Sequence, residues 1–93
     1  MTPEQKHMGI VAQLDCVVCR EYLKERTPCC VHHVAKGTSM RSDFLTAGLC
    51  PFHHKGSGEG FHDSPKLFLM RWKLDNEFQL LGLVNKFRMQ DGI

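Results

Sequence analysis

Two short ligand pairs, Cys16-x-x-Cys19 and Cys50-x-x-His53, constrain this chain more than anything else in it. A C-x-x-C loop lets two thiolates converge on one tetrahedral ion, with backbone amides left to hydrogen-bond the sulfurs. The second pair sits where Pro51 can open a helix, and it supplies the other two donors of a closed four-ligand zinc site that clamps distant segments together. At 93 residues the chain is a single small domain. At that size the hydrophobic core is thin, and a metal, a disulfide or a partner commonly decides whether the fold holds. Five cysteines, an odd number, fit a disulfide framework poorly. A thioredoxin-like redox pair is the rival reading of Cys16 and Cys19, but no βαβ pattern surrounds them, and two thiols merely packed in a core are the plainer alternative.

The stretch from Cys29 to His62 holds five of the six histidines and three of the five cysteines. If His53 serves the zinc, its neighbour His54 points elsewhere on the helix, and His32, His33, His54 and His62 remain. Three neutral imidazoles can hold one divalent ion with positions open for water and phosphate, and a fourth can take a proton from the water. A second structural zinc that draws on Cys29 or Cys30 is a competing reading. A nucleophilic Cys29 or Cys30 with a histidine partner is a third, without any oxyanion-hole signature beside it. Otherwise these two cysteines are expected to be packing residues. His7, alone in the first helix, reads as an ordinary core or surface histidine.

Charge follows the histidines. Between Pro28 and Lys73 there are six basic residues (Lys36, Arg41, Lys55, Lys66, Arg71, Lys73) and three acidic ones (Asp43, Glu59, Asp63). The remainder carries six basic and seven acidic residues, so the net charge of +2 is concentrated where a phosphate-facing site needs it. No apolar run approaches the ~20 residues of a membrane span, and no basic-then-apolar signal pattern opens the chain, so a cytoplasmic protein is expected.

In chain order, Thr2-Pro3-Glu4-Gln5 has the cap, proline and third-position glutamine of a helix start, and Met8, Val11, Ala12 and Leu14 continue at helical spacing. Arg20 to Pro28 is a polar connector. Cys29 to Val34 is β-prone, residues 35–42 have loop composition, and Asp43 to Ala47 can form a second, antiparallel strand that Gly48 breaks. The glycine-rich run Gly56 to Gly60 reads as mobile unless a ligand anchors it. Two more helices follow. One is opened by Ser64-Pro65, and the other is capped by Asp75 or Asn76, with Leu80, Leu83, Val84 and Phe87 on one face. The last three residues are expected to fray.

His32-His33 on a strand, a second strand, then Leu49-Cys50-x-x-His53-His54 resemble the ββα-metal, or HNH, nuclease motif. The longer run H-H-V-x-x-G-x-x-M-R-S-D-F-L-T-x-x-L-C-P-x-H-H, followed by a glycine loop and Phe61-His62, is similar to the phage recombination enhancement (Ref) nucleases, which cut DNA where RecA filaments direct them. The resemblance covers nearly the whole chain. It implies a small α+β fold, residues 1–93 as one domain. Residues 1–15 would be an N-terminal helix, 16–62 a zinc-clamped, treble-clef-like ββα-metal core, and 63–90 a C-terminal helical pair. It implies a metal-dependent DNA endonuclease with His33 as general base and His32, His54 and His62 on the catalytic ion, Mg²⁺ or Mn²⁺ by family, although an all-imidazole set favours Zn²⁺. Cys16, Cys19, Cys50 and His53 would hold the structural zinc, and Lys36, Arg41 and Lys55 the DNA backbone, with little sequence specificity. A RecA–DNA filament is the implied partner. The HNH asparagine that orients the base has no counterpart here, and Asp43 and Thr46 are the candidates for its role. A non-catalytic zinc module that binds nucleic acid or protein is the alternative class.

Overall fold

A computed structural model describes residues 1–34 and 42–93. Helix α1 (Pro3–Gln13) starts on a full capping box. The Thr2 hydroxyl accepts the Gln5 N–H at 3.1 Å, and the Gln5 amide oxygen accepts the Thr2 N–H at 3.0 Å. The helix buries Val11, with Leu14 just past its end, and Asp15 then takes a left-handed backbone (φ 66°) that stops it. The polar connector opens with a π-helical turn at Cys19–Leu23, closed by Lys24 at φ 57°.

Strands β1 (Cys30–His33) and β2 (Thr46–Leu49) form a two-stranded antiparallel sheet, with Val31 opposite Gly48 and His33 opposite Thr46. The second strand therefore starts three residues later and ends two residues later than the stretch the sequence suggests, and Gly48 is inside it. The reason is crowding: a Cβ on Gly48 would sit 2.5 Å from Cys29 Sγ and 2.7 Å from the Asp15 carbonyl. Glycine marks a close approach there, where sequence reading takes it for a break. Asp43 and Phe44 turn the chain into the strand instead.

Three helices complete the order: α2 (Pro51–His54), α3 (Pro65–Arg71) and α4 (Gln79–Asp91). Helix α4 begins later than Asp75 or Asn76 would have it, because Asn76 Oδ1 accepts the Phe78 N–H at 2.9 Å and builds a turn before the helix. At its far end, where fraying is expected, side-chain and backbone contacts close the helix. Arg20 is buried against Phe87, 4.4 Å above the ring, and pairs with Asp91. Gly92 closes the helix at φ 73°, and the Ile93 N–H returns to the Arg88 carbonyl at 3.0 Å. The core runs between these elements through Val11, Leu14, Val17, Val18, Leu49, Phe68, Leu80, Val84 and Phe87. The result is a small α+β domain with helices at both ends of a minimal sheet, and none of its described helices is long and apolar enough to cross a membrane.

Candidate metal centres

Cys16 and Cys19 come from the turn behind α1, and Cys50 and His53 from the start of α2; all four are buried. Cys50 is the N-cap of α2, so the C-x-x-H spacing returns His53 to the same side one turn later. Cys19 Sγ lies 3.7 Å from Cys50 Sγ. His53 Nδ1 lies 3.2 Å from Cys50 Sγ, 3.4 Å from Cys19 Sγ and 3.6 Å from Cys16 Sγ. A tetrahedral zinc with bonds of ~2.3 Å to sulfur and ~2.05 Å to nitrogen holds its sulfurs about 3.8 Å apart and each sulfur–nitrogen pair about 3.6 Å apart. The four donors are thus spaced to hold a metal such as zinc. The Cys19 N–H reaches Cys16 Sγ at 3.5 Å, the amide-to-sulfur support that the C-x-x-C spacing provides. Burial pushes the Cys16 thiol up to about 12 and raises Cys19 as well. Burial lowers His53, with Arg71 adding to it. Cys16 and Cys19, so buried, become thiolates readily only with a cation beside them.

A second cluster lies beside the first. His32, His54 and His62 each bring a ring nitrogen within 4.8 Å of the other two. His32 comes from β1 and is buried, His54 ends α2 half-buried, and His62 is exposed, so the group opens from the core to solvent. His53 and His54 are neighbours in sequence yet belong to different clusters. Burial, then the nearby His62, His54 and His33, lowers His32 to about 4; burial and His62 also lower His54. Neutral imidazole is the form that binds metal. Among the described residues, His32 Nε2 is buried without a hydrogen-bond partner.

His62 arrives there by way of the glycine run. That loop is anchored from within: the Asp63 carboxylate accepts the N–H groups of Gly56, Gly58 and Gly60 at 3.0, 3.0 and 3.1 Å. Those bonds hold the Asp63 carboxyl below its ordinary value. The Phe61 and His62 N–H groups then bond the His53 and His54 carbonyls at 2.8 and 2.9 Å. The backbone passes so close to α2 that a Cβ on Gly60 would lie 2.7 Å from His54 C and Lys55 N.

His33 is not brought into the imidazole cluster. Adjacent strand residues point to opposite faces, and a single site served by both His32 and His33 asks for a bend in β1. The pairing runs through both, His32 opposite Ala47 and His33 opposite Thr46. His33 Nε2 meets Asp43 Oδ1 at 2.7 Å, and Thr46 Oγ1 bonds the Asp43 carbonyl at 3.2 Å. Lys55 is exposed directly after His54, whereas Lys36 and Arg41 lie outside the described residues. Cys29 packs under Gly48, with Sγ 3.6 Å from the Ala12 carbonyl, and burial pushes its thiol up to about 11. Cys30, expected to pack, is exposed on β1. Among the described residues, neither joins a metal-ligating group.

Two residues at the histidine cluster escape sequence reading. Asp63 reads as part of a helix start, though a carboxylate after three alternating glycines is a legible anchor. Glu77 is buried, with Oε2 3.5 Å from His32 Nε2. Nothing in its local sequence announces that.

A small α+β domain with one closed Cys/His group and one open histidine group has, in class, the donor sets that could hold metal. The chain belongs to the family described as recombination enhancement, RecA-dependent nuclease, which matches residues 1–75. No curated protein and no solved structure matches the chain. The family makes it a nuclease associated with recombination, and nucleic acid its substrate.

Proposed function

We propose that this chain is a metal-dependent DNA endonuclease of the HNH type that hydrolyses phosphodiesters by a one-metal mechanism. Residues 1–93 act as one unit: an N-terminal helix over 1–15, a ββα-metal core over 16–62 and C-terminal helices over 63–90. Cys16, Cys19, Cys50 and His53 hold structural zinc, which ties the turn after α1 to α2. His32, His54 and His62 hold the catalytic ion. The observation that carries this reading is the three-imidazole group opening from a buried His32 to an exposed His62. A divalent ion there supplies charge stabilisation for the phosphoryl and leaving oxygens. Mg²⁺ or Mn²⁺ is the family expectation, and three imidazoles also suit Zn²⁺.

His33 is the general base, an assignment that requires β1 to twist between His32 and His33 so that both rings serve one site. Asp43 is acceptor-only when ionised, so the Nε2 facing it carries the proton and Nδ1 is the atom that takes one from the attacking water. Asp43 thereby does the orienting work of the HNH asparagine. Lys55, with Lys36 and Arg41, contacts the DNA backbone and confers little sequence preference. The family name also points to a RecA–DNA filament as the setting in which cutting occurs.

The test is nicking of supercoiled plasmid with added Mg²⁺ or Mn²⁺, with metal content and thermal melting followed alongside. His33→Ala should abolish nicking and leave both others unchanged. Retained nicking in that variant would remove His33 as the base, and no nicking by the parent chain with any of these ions, with or without RecA filaments, would favour the non-catalytic zinc module.

A further inference from the structure

Glu77 is a carboxylate buried to 3% exposure in a domain with little interior to spare. Its place is set by the turn between α3 and α4. There the Asp75 N–H bonds Gln79 Oε1 at 2.8 Å, the Phe78 N–H bonds Asn76 Oδ1 at 2.9 Å, and the Leu80 N–H bonds the Glu77 carbonyl at 3.0 Å. Two polar side chains and a backbone carbonyl thus shape a turn whose inward acid is Glu77. A buried carboxylate is costly unless a cation or a hydrogen-bond donor meets it. No lysine or arginine among the described residues pairs with it; the group it faces is His32, whose Nε2 lies 3.5 Å from Glu77 Oε2. From the other side, His32 Nε2 is one of two buried side-chain nitrogens, with Trp72 Nε1, that lack a hydrogen-bond partner among the described residues. Two groups that each need the other stand one short adjustment from a hydrogen bond. Glu77 is not among the residues whose donor atoms all lie within 4.8 Å of one another, so it meets the cluster through His32.

We propose that Glu77 is the positioning residue of the three-histidine site: its carboxylate accepts the Nε2–H of His32, fixes that tautomer and makes Nδ1 the atom offered to a divalent cation. Carboxylates behind metal-binding histidines work in this way, orienting the ring and raising its basicity. The proposal rests on the reading of His32, His54 and His62 as a metal site. It adds an element contributed by the turn before α4, beyond the end of the matched span at residue 75.

The experiment uses the full chain with zinc retained at the cysteine group, and titrates Co²⁺ into the second site by its visible absorption. Glu77→Gln is isosteric and should weaken Co²⁺ binding about ten- to a hundred-fold, with zinc content and melting temperature unchanged. The d–d bands of the bound Co²⁺ should keep their positions, because the donor set is the same. Glu77→Asp, which keeps the charge, should recover part of the affinity; if E77Q is poorly folded, this variant decides. Affinity within twofold of the parent in E77Q, or no recovery in E77D, overturns the proposal. Displaced d–d bands in E77Q also overturn it, since they would make Glu77 a ligand. His32→Ala separates the two levels. If H32A binds Co²⁺ as the parent does, the metal-site reading itself fails; if H32A loses Co²⁺ and E77Q does not, only the role of Glu77 fails.

Discussion

His33 Nε2 lies 2.7 Å from Asp43 Oδ1, a contact between β1 and the turn that leads into β2. A carboxylate only accepts, so a pair of this kind fixes one imidazole tautomer, as a histidine general base requires. Asp43→Asn keeps the shape and removes the charge. Its plasmid-nicking rate should fall about ten-fold, against about 10²–10⁴-fold for loss of the imidazole in His33→Ala. Metal content should be unchanged in both. A parental rate in D43N would take Asp43 out of the mechanism.

The cysteine group should govern folding where the histidine group governs activity. Apparent binding free energies for structural zinc run to about 10–16 kcal/mol, as large as the ~5–15 kcal/mol that holds a whole domain folded. Cys16→Ala, or removal of zinc by a strong chelator, should therefore unfold the chain and lower its zinc content by one equivalent. Trp72 reports the event directly, because its ring stands edge-on to His53 with centroids 5.4 Å apart. A C16A variant with the parental melting temperature and tryptophan emission would refute the clamp.

Signals confined to a few consecutive residues are the ones legible in the sequence. Thr2 and Gln5 specify the start of α1, and the C-x-x-C and C-x-x-H pairs specify a four-donor group because each spacing is a fact of local geometry. The separation of His53 from His54 follows from the same rule. What escapes is set by contacts between distant segments. Gly48 reads as a strand breaker and is instead the residue that lets Cys29 and Asp15 approach. The burial of Glu77 depends on how the α3–α4 turn meets β1, and the salt link of Asp91 depends on Arg20, far away in sequence. Neither has a local pattern to betray it.

The route to His62 should be breakable without harm to the zinc clamp. Gly60→Ala puts a methyl 2.7 Å from backbone atoms of His54 and Lys55, which cannot swing aside. Overpacking of this kind costs about 1–3 kcal/mol, and the loop is the part free to relax. Displaced, it takes His62 with it. Asp63→Ala should act in the same direction, since it releases the three glycine N–H groups. Both variants should lose the second metal and nicking while one zinc per chain remains. Full second-site metal binding by G60A and D63A would detach His62 from the site.

Asp91 gives a prediction in pH. The hydrogen bond from Arg20, then the charges of Arg20 and Arg26, hold its carboxyl below the ordinary 3.8. A lowered folded-state value means that the unfolded chain takes up this proton more readily, so stability rises with pH across the interval. The contribution is complete above the ordinary carboxylate value and is lost as pH falls through the folded one. Acid also strips metal from cysteine and histidine donors, so the quantity to follow is the difference in melting temperature between the parent and Asp91→Asn. That difference should be constant from neutral pH down to about pH 5, where the carboxylate is ionised in both states. Below that it should shrink as Asp91 protonates and the parent loses the advantage it has over the amide. A difference that persists unchanged to acid pH would mean that Arg20 is held by its contact with Phe87 and by the Leu14 carbonyl, 3.3 Å from Nη1, and owes nothing to the charge on Asp91.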